Sequence, residues 1–375
     1  MTEALPAPQA PRRLGDRLRA WRNRMVASEA FQERAARWPI LRGIARRRTE
    51  ALFRLTSGFV RSQILTACVE TGLLRALLDE PTEAAPLARR LGLPVEATTR
   101  LLDAARAIGL IARDRRGRWW CTDDGTVAAS NEGVEAMVRH HAMLYRDLAD
   151  PARLLREPAA PTETARYWSY AGGAVPSAAE ARDYSALMAT SQDMLARTVL
   201  AAYPMGRHGR VLDVGGGEGA FLAAVGRRHP GIGLHLFDLP EVASRGAAAL
   251  RAAGLEADAT GGDFIADPMP AGADLVTLVR VLCDHDDARV LALLSNLRRT
   301  MAPGATLLIA EPMDGPGEGE SLAAAYFGLY FLAMRSGRCR TPARIVELVR
   351  EAGFGRATRR ATANPLIASL VVATP

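Results

Sequence analysis

The rhythm of apolar and polar positions changes along the chain. Up to about residue 55, Leu, Ile and Trp recur at three- and four-residue spacing with arginine between them, in "RLGDRLRAWRNRM" and "RWPILRGIARRRTEALFRL". That is the pattern of basic amphipathic helices. The Pro-rich "ALPAPQAP" ahead of them predicts no regular structure. Over 51–125, "PTEAAPLARRLGLP" predicts a helix closed by Gly92 and Pro94, and "VEATTRLLDAARAIGL" a second closed by Gly109. "IARDRRGRWWCTDDG" then predicts two short strands about a turn at Arg116-Gly117. Helix–turn–helix followed by a hairpin is the outline of a winged helix. Residues 126–200 read as mainly helical, with a loop at "YWSYAGGAVPS" where Gly172, Gly173 and Pro176 interrupt the pattern.

From residue 209 short apolar runs alternate with amphipathic segments. "RVLDVG", "GLHLFDLP", "ADLVTLVRVL" and "GATLLIAEPM" predict strands, and "EGAFLAAVGRRHP", "EVASRGAAALRAAG" and "DARVLALLSNLRRTM" the helices between them. Such alternation predicts parallel βαβ units. After the helix "TPARIVELVREAGF" come "RATRRAT" and "LIASLVVATP", two strands with only a turn between them. A turn that short forces antiparallel pairing, so the sheet is expected to end in a hairpin. The fold class is therefore α/β, with a mainly helical winged-helix region before it.

Composition removes several classes. A chain of 375 residues suits two or three domains. No run approaches the roughly 18 apolar residues of a membrane span, and the first residues lack the apolar core of a signal peptide, so a cytosolic location is expected. Cys68, Cys121, Cys283 and Cys339 are too scattered for a disulfide framework or a CxxC metal site, and no structural zinc is expected. The net charge is +7, and residues 1–50 hold twelve arginines against five acids, so the remainder balances. Nucleic-acid binding by the whole chain thus lacks electrostatic support. The arm itself suits either packing on a partner subunit or contact with an anionic membrane surface.

The stretch "VLDVGGGEGAF" (211–221) follows a predicted strand and opens a helix. Gly215 and Gly217 permit a tight turn against which a ligand can lie, and the helix N-terminus offers free N–H groups. Asp238 ends the second strand about 20 residues on, where a carboxylate can accept both ribose hydroxyls. NAD and S-adenosylmethionine both fit so far. Asp213, two residues before Gly215, favours a cationic ligand over a pyrophosphate. Asp263, in "GGDF" after the third strand, stands where an adenine amino group can be bound. With the terminal hairpin, these features favour S-adenosylmethionine over a dinucleotide.

These motifs resemble those of class I methyltransferases, and most closely the two-domain O-methyltransferase family of plant phenolic enzymes and bacterial carotenoid and antibiotic enzymes. "FVRSQILTACVETGLL", "RHHAMLYRDLADPARLLREP", "DHDD" and "AAYFGLYFLAMRSGR" resemble the bacterial hydroxyneurosporene (demethylspheroidene) branch. After the basic arm over 1–50, the resemblance implies a winged-helix-like dimerisation and substrate-lid domain over 51–200. It implies a Rossmann-like methyltransferase domain over 201–375 and a homodimer that does not bind nucleic acid. The substrate pocket would lie between the two domains. It also implies that Gly215 and Gly217 lie near the methionine part of S-adenosylmethionine, that Asp238 takes the ribose, and that Asp263 and Phe264 take the adenine.

One departure bears on substrate. Where the phenolic enzymes read "LHDWSD", with a histidine base, this chain reads "LCDHDD": Cys283 stands at the base position and His285 at the tryptophan. Glu311 in "AEPM" matches one flanking glutamate, while Cys339 in "GRCRT" replaces the other. A phenol of pKa about 10 is usefully ionised by one histidine; an aliphatic alcohol is not. Its methylation must rely on alignment, which contributes about 7–11 kcal/mol, and on late proton loss to a modest acceptor. The reading is an O-methyltransferase for the C1 hydroxyl of an acyclic hydroxycarotenoid. A methyltransferase for another apolar or polyketide-like alcohol, and a regulator that only senses S-adenosylmethionine, are the alternatives. His140, His141 and His285 are the candidate proton acceptors, Asp284 is a further candidate catalytic residue expected to line the pocket, and Cys283 is a poor base because burial raises a thiol's pKa. Met188, Met194, Tyr184, Tyr326, Phe327, Tyr330 and Met334 are core or pocket lining. His208, His229 and His235 are expected on the surface.

Overall fold

The computed structural model describes residues 14–169 and 191–375, and divides into two compact units between Thr126 and Val127. The first opens with three helices, α1 (Leu14–Ala27), α2 (Glu29–Arg37) and α3 (Pro39–Thr56), none of which has a buried residue. The second of these was not foreseen from the apolar spacing. α4 (Gly58–Glu70), α5 (Ala84–Leu91) and α6 (Val95–Ala107) follow, then β1 (Ile111–Arg113) and β2 (Trp119–Cys121). As expected, the strands pair antiparallel. Asp114 closes their turn, accepting the backbone N–H of Arg116 and of Arg118 at 2.9 Å each. Leu73, Leu87, Leu102, Ile111 and Trp119 form the buried centre. α7 (Asp123–Ser130) runs across the division.

The second unit begins with α8 (Glu132–Asp147), α9 (Pro151–Arg156), α10 (Glu163–Ser169) and α11 (residues 191–202). Tyr167 and Trp168, expected in a loop, lie in α10; the rest of that loop, Tyr184 and Met188 fall outside the described residues. The α/β part follows: β3 (Arg210–Val214), α12 (Ala220–Arg228), β4 (Gly233–Asp238), α13 (Pro240–Ala252), β5 (Asp258–Gly261), β6 (Leu275–Val279), α14 (Asp287–Thr300), β7 (Thr306–Glu311), α15 (Glu318–Met334), α16 (Pro342–Glu351), β8 (Arg356–Arg360) and β9 (Ser369–Thr374). The sheet order is β5-β4-β3-β6-β7-β9-β8. The first five strands are parallel, and β9 pairs antiparallel with both β7 and β8. The terminal hairpin is present, although eight residues (361–368) join its strands rather than a tight turn.

Strand alternation decides which helix covers which face. Leu212, Val214, Val276, Leu278, Leu307 and Ile309 meet Val290, Leu293 and Leu297 of α14 and Ile345 and Leu348 of α16. Val211, Leu275, Leu308 and Ala310 turn the other way, to Leu195 and Val199 of α11 and Leu222 and Val225 of α12. Successive strands move outward from β3 to β5 and then resume at β6, on the other side of β3. The strand order reverses there, and the carboxyl ends of β3 and β6 flank the point at which open α/β sheets bind their ligands.

The surface expectation for three histidines is corrected. His235 is buried on β4, its Nε2 2.9 Å from the Thr260 hydroxyl. The His208 side chain is almost covered, with Nε2 2.9 Å from Tyr203 Oη and Nδ1 3.5 Å from Asp274. His229 is half-buried beside Gly206. Strand and strand-edge positions bury even a polar ring where it finds partners.

Candidate active site

The loop 215–219 lies at the carboxyl end of β3 and turns into α12. Gly217 adopts φ +59°, a left-handed conformation that L side chains rarely adopt. A Cβ on Gly216 would lie 2.4 Å from Asp213 Oδ2 and 2.6 Å from Leu236 Cδ1, so only glycine fits between the loop and the strands beneath. Asp238, at the end of β4, accepts the Gly217 N–H at 2.8 Å and the Leu239 N–H at 2.7 Å. The predicted ribose ligand therefore also shapes the glycine turn.

Asp213 is placed beneath this loop. It is fully buried, accepts the Thr277 hydroxyl at 2.6 Å, and leaves Oδ2 without a partner. Burial pushes its carboxyl up to about 7. Its unpartnered Oδ2 lies beside the glycine turn, 2.4 Å from where a Cβ on Gly216 would stand. Asp263 Oδ1 accepts the N–H groups of Ile265 (2.7 Å) and Ala266 (3.3 Å). The turn that follows is held by Asn296, whose side-chain amide donates to the carbonyls of Phe264 and Asp267. Phe264 is partly exposed, with Arg289 over its ring. A flexible glycine turn, a carboxylate at the adjacent strand end and an aromatic ring on the next loop are together the donor set a nucleoside such as S-adenosylmethionine requires. When bound, that cofactor supplies a methyl group as an electrophilic carbon on a sulfonium.

The second half of the site starts where β6 ends. Arg280 follows the strand with φ 56°, an uncommon conformation for a residue with a side chain, and donates its N–H to Ala310 of β7. Its guanidinium lies over the Phe327 ring at 5.5 Å. The chain then forms a single 3-10 turn, Leu282–Asp284. Two residues missed in the sequence hold this turn. Arg340, whose side chain is wholly covered, donates to the carbonyls of Leu282 (2.7 Å) and His285 (2.6 Å) and to Asp287. Gly337, at φ +86°, lets its loop pass where a Cβ would strike the Cys283 carbonyl at 2.2 Å. Neither carries a periodic signal, because a lone Arg or Gly in a loop looks like any other.

Cys283 is buried among Leu144, Tyr330, Phe331 and Met334. Burial raises its thiol well above the ordinary value, which removes it as a base. Asp284 is pushed up to about 6 by burial, against the opposing pull of Arg280. Glu311 is fully buried at the end of β7, accepts the Cys283 N–H at 3.0 Å through Oε2, and leaves Oε1 unpartnered. Burial pushes it up to about 8, so it carries a proton near neutral pH. Cys339 lies 3.6 Å from the Pro312 carbonyl, its thiol pushed up to about 12 by burial. His285 packs edge-on against Phe264.

The two adjacent histidines of α8 both face α15. His140 Nε2 lies 2.6 Å from Tyr330 Oη, and His141 Nε2 lies 2.9 Å from Tyr326 Oη. Burial lowers both, His140 to about 4 with its neighbour His141 adding to the shift. Trp168 of α10 donates to Tyr330 Oη at 2.6 Å. Tyr326, Tyr330 and Trp168 pack with Phe327, Phe331 and Met334 in one apolar cluster that includes Cys283, and the two histidines bond to its tyrosines. The aromatic positions left open as core or pocket therefore gather at the residue that replaces the phenolic base. The structure brings together Cys283, Asp284, Tyr326, Tyr330, Met334, His140 and His141, and places Met194 half-buried on α11.

An α/β fold with this terminal hairpin and a glycine turn facing a carboxylate defines a class of methyl-transferring enzymes. The O-methyltransferase domain profile matches residues 145–355 and the O-methyltransferase dimerisation domain profile residues 53–129. The chain is 42% identical to demethylspheroidene O-methyltransferase of Cereibacter sphaeroides over 93% of both chains. It is 40% identical to the enzyme of that name from Rhodobacter capsulatus, over 93% of this chain and 88% of that one. Human N-acetylserotonin methyltransferase, solved with S-adenosylmethionine, superposes with TM-score 0.71 and 26% identity over 87% of this chain and 97% of its own. The chain belongs to the S-adenosylmethionine-dependent O-methyltransferase family. It is an enzyme with a Rossmann-like catalytic fold and a helical dimerisation domain.

Proposed function

We propose that this enzyme transfers the methyl group of S-adenosylmethionine to the C1 hydroxyl of an acyclic hydroxycarotenoid of the demethylspheroidene or hydroxyneurosporene type. The observation that carries this reading is the cell around Cys283: aromatic and apolar side chains surround a position from which the phenolic base is missing. A long polyene fits such a lining by burial of apolar surface. Its names in the two bacterial relatives support the same substrate. Gly215, Gly217, Asp238, Asp263 and Phe264 hold the cofactor in this reading, with Asp213 beneath the turn.

Asp284 is the proton acceptor. The substrate oxygen takes the methyl carbon, the donor's C–S electron pair stays on sulfur, and the hydroxyl proton passes to the Asp284 carboxylate. Burial holds that carboxyl near the pH at which an acceptor works best. His140 and His141 line the cell, and His285 serves the adenine side. The domain limits that best fit this assignment are an arm, a dimerisation domain and a catalytic unit. The basic arm, we further propose, docks on an anionic membrane surface, where a polyene substrate dissolves.

Expression in a host that accumulates acyclic hydroxycarotenoids tests the reading. Mass spectrometry of the pigments should show a gain of one methylene per hydroxyl only with this chain present. Unchanged pigments, with activity on a polyketide alcohol instead, would overturn the substrate. The kcat/KM of the pure enzyme should hold above about pH 6 and fall as Asp284 is protonated below it. Arg280, Cys283 and Glu311 are the titratable or charged neighbours that share that field.

A further inference from the structure

One hydrogen-bonding pattern in the aromatic cell is fixed by its own stoichiometry. Tyr330 Oη has Trp168 Nε1 and His140 Nε2 each at 2.6 Å. An indole N–H only donates, so Trp168 occupies an acceptor position on the phenol oxygen. Among the described residues the Tyr330 proton then has one acceptor, the His140 Nε2 lone pair. In that arrangement the imidazole carries its proton on Nδ1, and one buried group, the Nδ1–H, is left over. With the proton on Nε2 instead, both the Tyr330 O–H and the Nδ1 lone pair would be buried without partners. Each such group costs the desolvation of a polar atom, so the first arrangement prevails. Nδ1 is indeed buried and has no partner among the described residues.

We propose that His140 is a hydrogen-bond donor to the substrate oxygen through Nδ1–H, and that Tyr330 and Trp168 are positioning residues that fix its tautomer. Its partner Tyr330 packs in the cluster that holds Cys283, whose thiol lies 3.6 Å from the acceptor Asp284. A hydroxyl oxygen has one proton and two lone pairs. One lone pair receives the His140 N–H, the other attacks the methyl carbon, and the proton goes to Asp284, so every direction about the oxygen is assigned. The histidine cannot also be the base, because its Nε2 lone pair is committed to Tyr330. This assignment rests on the proposed methylation for the identity of the oxygen; the tautomer is a property of the protein alone.

The test has two parts. Nitrogen-15 NMR of the full-length protein with labelled histidine reads the tautomer without substrate, the His140 resonances being those lost in His140→Asn. A bare Nε2 and a protonated Nδ1 are expected; the reverse tautomer overturns the proposal whatever the substrate proves to be. The second part compares variants on an acyclic hydroxycarotenoid in detergent. An asparagine amide presents its N–H near the Nδ1 position and a glutamine amide near Nε2. His140→Asn should therefore keep kcat within about tenfold, while His140→Gln loses about a hundredfold, both with unchanged affinity for S-adenosylmethionine. Tyr330→Phe should mix the tautomers and lower kcat more than it raises KM. Glutamine matching or exceeding asparagine, or a phenylalanine variant with both tautomer and kcat unchanged, overturns it. Failure of the carotenoid reading would show separately, as no methyl transfer by the unaltered enzyme.

Discussion

Cys283 shows how much one position can say about substrate. Its thiol is buried, its own titration is pushed out of the working range, and its neighbours are Leu144, Tyr330, Phe331 and Met334. Restoring histidine by Cys283→His would add ring atoms to a packed apolar cell, and overpacking of this kind costs about 1–3 kcal/mol. It would also add a polar ring beside the buried Glu311, whose Oε1 has no partner among the described residues. The variant should melt several degrees lower, and kcat/KM on an acyclic hydroxycarotenoid should fall or stay level. A calorimetric scan and a steady-state assay check both. A gain in carotenoid turnover would mean that the native reaction lacks a base, and that Asp284 does not supply one.

At the scale of elements, the glycine turn and β4 are one device. Asp238 was legible from its place about 20 residues after the glycines, but its bond to the Gly217 N–H was not. Asp238→Ala should therefore lower S-adenosylmethionine affinity twice over, by removing the ribose acceptor and by releasing the turn. The two ribose bonds alone should account for about 1–3 kcal/mol, and isothermal calorimetry of the full-length variant should show at least that loss. Equal affinity in the variant would remove Asp238 from the site. The central strands and the helices between them were legible because short continuous apolar runs alternate there with period-3.6 segments. Three things were not. Gly216 and Gly337 are dictated by contacts from elsewhere in the sequence, which no local pattern holds. Arg340 is buried against carbonyls of Leu282 and His285, which lie 58 and 55 residues before it. The role of Tyr330 depends on Trp168 and His140, three residues on three helices whose meeting is a tertiary event. Motif resemblance, not periodicity, carried the assignment of Asp263 and Phe264.

For the whole molecule, the arm is the part that the catalytic reading leaves unused. Between Leu14 and Leu52 stand ten arginines and four acids. Apolar side chains stand among them in the open: Leu14 is 73% exposed, Trp38 59% and Ile40 76%. The dimerisation profile begins only at residue 53, so this segment lies before it. No helix among the described residues is long and apolar enough to cross a membrane. Apolar side chains interleaved with cations bind an anionic bilayer by two additive terms, shallow insertion and attraction worth about 1 kcal/mol per basic residue near the surface. The full-length enzyme should therefore sediment with vesicles containing phosphatidylglycerol at low salt and less with phosphatidylcholine alone. Binding should weaken as salt screens the arginines. Trp21 and Trp38 should report insertion as a blue shift of fluorescence. An R46Q/R47Q/R48Q variant should bind such vesicles less, methylate vesicle-borne substrate more slowly, and keep its rate on detergent-dispersed substrate. If the variant and the native chain sediment alike, and light scattering shows the variant dissociating to monomers, the arm belongs to the subunit interface instead.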